Sequence, residues 1–94
     1  MEISNLYFDG CKVCCTSILL DSKNRWVNVV GCDLTGIIDF LIGNIKNESA
    51  FSVGIDTDNG YYDSLCFVGM VSEEEKSFTL CLSGEINKGY KWIH

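Results

Sequence analysis

A chain of 94 residues, 47% of them hydrophobic and none of them proline, with a net charge of −6, is expected to form one domain over residues 1–94 with a single modest core. Charged residues make up 21%, too apolar a balance for disorder, and no apolar run approaches the roughly 18 residues of a spanning helix. The acid excess argues against direct contact with nucleic acid or an anionic membrane, because phosphate recognition needs a concentrated positive surface. It suits a basic partner, toward which opposite fields speed association.

The start, MEISNLYFDG, lacks the basic and apolar regions of a secretory signal, and EISNLYF reads as a short edge strand. Next, DGCKVCC (Asp9 to Cys15) packs three cysteines into five positions. KVCCTSILLDS and RWVNVVG are rich in β-branched and aromatic residues, and the turn-like DSKNR between them predicts a hairpin.

The one strong helix signal is DLTGIIDFLIGNIKN. Leu34, Ile37, Ile38, Leu41, Ile42 and Ile45 recur at the three-and-four spacing of a single buried stripe. Asp33 or Thr35 would cap its first turn, and Lys46 suits the negative pole at its end. Gly36 and Gly43 cost about 1 kcal/mol each relative to alanine, an expense that close packing of the helix on a sheet would explain.

The second half reads as a three-stranded meander. Asn59-Gly60 lies between two extended runs and favours a type I′ turn, since both residue types tolerate positive φ. With those two at the corners, Asp58 faces Tyr61, Asp56 faces Asp63 and Val53 faces Cys66. A three-residue loop at Glu73–Glu75 then sets Met70 against Phe78, Val68 against Leu80 and Cys66 against Leu82. That register gathers Phe51, Val53, Ile55, Cys66, Val68, Met70, Phe78, Leu80 and Leu82 on one face, which burial would enforce. The tail, KGYKWIH, would add a strand or cover a sheet edge with Tyr90 and Trp92. The fold class is therefore α+β: a mostly antiparallel sheet of about five to six strands packed on one amphipathic helix, in the order β-β(-β)-α-β-β-β.

The cysteines do not form a metal signature. Zinc takes two converging ligand pairs, whereas Cys11 and Cys14 make one C-x-x-C, and in an extended strand they would point to opposite faces. A reactive thiol needs a helix N-terminus or a nearby cation, which leaves Cys32, just before the helix, as the best redox candidate. DTDNG resembles the start of a calcium loop, but its glycine is one place early and Phe67 stands where the twelfth-position glutamate belongs. No nucleophile–base pair, phosphate loop or H-E-x-x-H is present, and the only histidine is the last residue. The expectation is a protein with no cofactor, no metal and no enzymatic activity. Cysteines set in strand-like runs, with no leader, point to free thiols and a reducing cytoplasm.

What stands out is the outer face of the meander. Asp56, Asp58, Tyr61 and Asp63 cluster beside Leu65 and Phe67, apolar residues left over once the core face is filled. Acids, a tyrosine and an exposed apolar patch make a protein-binding surface; Glu73, Glu74 and Glu75 would add steering charge. In size and charge the chain resembles bacterial immunity proteins and phage-borne inhibitors. That resemblance implies stoichiometric blockade of a basic partner such as a nuclease toxin, or inhibition of a host defence complex. A homodimer through the same face and a cysteine-based metal protein are the other classes.

Overall fold

The computed structural model describes residues 2–21 and 23–83. Seven strands and one helix follow in the order β1 (Ile3–Phe8), β2 (Cys11–Lys12), β3 (Ser17–Asp21), β4 (Trp26–Val30), α1 (Ile38–Asn47), β5 (Phe51–Thr57), β6 (Gly60–Ser72) and β7 (Ser77–Leu82). The strands form one antiparallel sheet in the order β2-β1-β5-β6-β7-β4-β3. The class is α+β as read from the sequence, but with seven strands rather than five or six. The additional one is β2. Asp9 and Gly10 both take positive φ (54° and 81°) between the paired residues Phe8 and Cys11, so the tight turn that Asp-Gly favours folds the chain back at once. EISNLYF is consequently not an edge strand, because β1 lies between β2 and β5.

The sheet curls so that its two ends approach each other. After β2 the Val13 N–H still donates to Leu6 O, at 2.8 Å, and three residues later the Thr16 N–H donates to Val30 O, at 2.9 Å. The short stretch from 13 to 16 thus reaches from β1 to β4. Inside the curl lie Leu6, Val27, Val29, Val53, Ile55, Cys66, Phe78 and Leu80, all almost fully buried. Leu41 joins them from α1, which packs against β6.

The helix is shorter than its sequence signal. Asp33 accepts hydrogen bonds from the Thr35 N–H (3.1 Å) and hydroxyl (2.7 Å), which organises a turn ahead of α1 rather than capping it. Position Ile37 precedes α1 without a side-chain cap. Only Leu41 of α1 is buried, while Leu34 is buried in the preceding turn and Ile42 and Ile45 are exposed. A cramped contact does not account for Gly36 and Gly43: among the described residues, nothing lies within 4 Å of where a Cβ would stand at either.

Two registers differ in detail from the sequence reading. In the β5–β6 hairpin Thr57 pairs with Gly60, so Asp58 and Asn59 hold the corners, not Asn59 and Gly60. Gly60 carries the positive φ, 131°, just after them. The partners are therefore two residues out while the faces are kept, because side chains alternate with a period of two. Between β6 and β7 the expected pairs Cys66–Leu82 and Val68–Leu80 form, then the register slips at Gly69. Beyond this bulge Met70 faces Thr79 and Val71 faces Phe78, and the loop runs over Glu73 to Lys76 instead of ending at Glu75. Met70 leaves the core face (63% exposed) and Val71 takes its place against the core. The remaining eight residues of the predicted inward set do lie on or against the core. The tail with Tyr90, Trp92 and His94 lies outside the described residues.

Candidate functional site

Alternation along β6 sends Tyr61, Asp63, Leu65 and Phe67 to the convex side of the sheet, and pairing extends that side across its neighbours. One half is acidic. Asp56 pairs with Tyr61 and Gly54 with Asp63, while Tyr7 pairs with Gly54 and Asn5 with Asp56 on the other side of β5. Asp56 and Asp63 are thus not directly opposite each other, as the sequence reading had them. The two-residue shift places them diagonally, with Tyr61 and Gly54 between, which relieves the like-charge repulsion of a facing pair.

Tyr61 fills the space that Gly54 leaves. A Cβ on Gly54 would run into the Tyr61 hydroxyl and ring. The ring lies edge-on to Tyr7, with centroids 5.9 Å apart. Partial desolvation there, the negative charge of Asp63 and a hydrogen bond to it raise the Tyr61 pKa, with smaller contributions from Tyr7 and Asp56. The Asn5 side-chain amide donates to Asp56 at 3.4 Å.

The other half is apolar. Trp26 pairs with Cys81 on β7 and Cys81 with Phe67, so three side chains form one row across β4, β7 and β6. Leu19, Met70 and Leu65 extend it, and all except Cys81 are at least 40% exposed. Contiguous exposed apolar side chains of this kind are less common on a lone protein than scattered ones. On the same side of the sheet, next to this row, the Thr79 hydroxyl donates to Asn28 at 2.8 Å, so the buried Thr79 hydroxyl is satisfied.

Asp58 sits apart from both halves. Its carboxylate accepts from the Glu2 N–H at 3.0 Å, and its own N–H donates to Glu2 O at 3.2 Å. It ties the start of β1 to the β5–β6 turn, a structural duty. Glu73, Glu74 and Glu75 are exposed at the far end of β6, ten positions and roughly 30 Å along an extended strand from Asp63. They do not join the acidic half. Trp26, Leu19 and Met70 are members that sequence reasoning missed. The alternation of Leu19 and Trp26 with inward residues was visible, but both faces of that hairpin are apolar, so nothing local marked which would be left outside.

Around the rim of the sheet runs a groove of about 940 Å³ between the β1–β2 hairpin and the start of α1. Cys11 and Cys14 both line it, together with Cys32. The strand β2 ends at Lys12, so the extended-strand alternation expected for Cys11 and Cys14 does not run through Cys14. Among the described residues no three histidine, cysteine or acidic side chains are placed to hold a metal ion. Cys32 is 1% exposed. Burial pushes its pKa up, and Cys15, Asp33 and Cys14 push it the same way. Its position before the helix therefore does not activate it, since a raised pKa leaves little thiolate to react. All six cysteines are free, and among the described residues no helix is long and apolar enough to cross a membrane. Compared with models of known families, with curated proteins and with solved structures, the chain matches none.

Proposed function

We propose that the chain is a small acidic protein-binding inhibitor, acting without cofactor or catalysis in the cytoplasm, that neutralises a basic partner by covering it one to one. The observation that carries this reading is the single open sheet face on which an acidic half (Asp56, Tyr61, Asp63) runs directly into an apolar half (Leu65, Phe67, Trp26). Apolar anchors supply most of the binding energy at such a surface, while charges set approach rate and register. A nuclease toxin or a nucleic-acid-binding defence complex has the matching positive cleft. An immunity or antitoxin role and a phage-borne inhibitor are thus two settings of one mechanism, and the neighbouring gene, toxin or phage, tells them apart.

A bait carrying Asp56→Ala and Asp63→Ala, with Asp58 left in place to hold the β5–β6 turn against the start of β1, should recover far less partner than the wild-type bait. Unchanged recovery would remove the acidic half from the interface. The row Trp26–Cys81–Phe67 favours a second reading, self-association through the same face. Dimerisation of that kind persists at high salt, whereas a steered complex loses on-rate as salt rises.

A further inference from the structure

The rim groove has a character of its own. Its floor is aromatic: Phe40 and Phe51 meet at 5.0 Å and 75°, Phe8 and Phe51 at 5.4 Å and 85°, and Phe8 and Phe40 at 5.8 Å. Phe8 is buried, but Phe40, at the start of α1, is 45% exposed beside the opening. The part of the Phe40 ring left exposed, beside its contacts with Phe8 and Phe51, is open to a cation that enters the groove. Three aspartates, Asp9, Asp33 and Asp63, line the groove against one cation among the described residues, Lys12. The Asp33 carboxylate is held below the usual range by the hydrogen bonds from the Thr35 hydroxyl and N–H and, to a smaller extent, by the charge of Lys76. At its other end the groove takes in Tyr61 and Asp63 and is continuous with the open sheet face.

We propose that this groove receives an arginine from an extended loop of the partner protein. The guanidinium stacks on Phe40 and pairs with the carboxylate of Asp33. Aromatic floor and acidic rim suit arginine better than lysine. A planar, weakly hydrated cation gives up less solvation on a ring face and engages a carboxylate through two parallel hydrogen bonds. The inference rests on the reading that the partner is a basic protein. It adds a second point of attachment, on the rim, to the face described above.

The probe is a synthetic peptide, acetyl-Gly-Arg-Gly-Arg-Gly-amide, with a citrulline version that keeps the shape and removes the charge. Both are titrated into isotopically labelled full-length chain and followed by amide chemical shifts. The arginine peptide should move the amides of Asp33, Gly36, Phe40 and Cys14, leave those of Trp26 and Phe67 in place, and weaken with salt; the citrulline peptide should move none. Phe40→Leu, which keeps the bulk and removes the ring, and Asp33→Asn, which keeps the Thr35 acceptor and removes the charge, should each weaken the peptide about threefold to fivefold. Phe67→Ala should leave it unchanged. Equal shifts from citrulline, shifts outside the groove, or indifference to both variants would overturn the assignment. Loss of partner capture in Phe67→Ala alongside an unresponsive groove would sink the groove and leave the inhibitor reading intact. A responsive groove with unaltered partner capture in every face variant would do the reverse.

Discussion

The two faces of β6 carry nearly the same kinds of side chain and meet opposite fates. Cys66 and Val68 point inward and are 0% and 9% exposed, while their neighbours Leu65 and Phe67 point outward and are 53% and 40% exposed. Apolar content does not separate them. What does is the company each face keeps: the inner side faces α1 and the curl of the sheet, and the outer side leads into Asp63, Tyr61 and Asp56. The apolar set that ends against the helix is the core, and the one that ends in acids stays in contact with solvent.

The sharpest way to test that contrast is to cut equivalent bulk from each side. Leu41→Ala removes a fully buried side chain and should cost about 2–5 kcal/mol in urea unfolding. Phe67→Ala should stay within about 0.5 kcal/mol, as surface changes do. Comparable losses at both sites would mean that the outer face is packed after all.

The inner face also predicts a pH dependence. Burial, helped by Cys81, pushes the Cys66 thiol from 9.0 up to about 12. Between those values the unfolded chain releases the proton while the folded chain retains it. Stability should therefore fall as pH rises from 9 toward 12, and the fall should be shallower in Cys66→Ala. Measured denaturation midpoints that do not change over that window would contradict the buried, protonated thiol.

On the outer face the corresponding test is Gly54→Ala. The added methyl group displaces Tyr61, which is exposed and able to swing away, so the stability cost should be modest, about 1 kcal/mol. The telling readout is ultraviolet titration of the tyrosines. One phenol that titrates above its usual value in the wild type should return toward it, because Tyr61 leaves the neighbourhood of Asp63. No change in the titration would place Tyr61 elsewhere. Smallest of all should be Glu73→Gln with Glu74→Gln and Glu75→Gln, within about 0.5 kcal/mol in stability and without effect on partner affinity at moderate salt, because that loop lies at the far end of β6.

Much of the inner face was legible because period-two alternation fixes which side a residue takes even when its partner is mistaken. Shifting the β5–β6 register by two residues moved every cross-strand pair and left Val53, Ile55 and Cys66 in the core. The bulge at Gly69 was not legible: nothing local distinguishes a strand that continues from one that slips, and Met70 was misplaced as a result. The Asp9-Gly10 turn carried a readable signal that the three cysteines after it obscured. The apolar half of the outer face depended on which strands become neighbours. Trp26 meets Phe67 only because β7 returns between β4 and β6, a pairing of residues far apart in sequence.

The binding claim turns most directly on one titration. The partner recovered with the wild-type chain is measured calorimetrically against the wild type, Asp56→Asn with Asp63→Asn, and Trp26→Ala with Phe67→Ala, each at low and high salt. If the open face binds the partner, removing the anchors should weaken the complex at least tenfold at both salts, as hot-spot residues do. Removing the acids should cost most at low salt and little at high salt. Dissociation constants within twofold of wild type for both variants would place the interface elsewhere on the molecule.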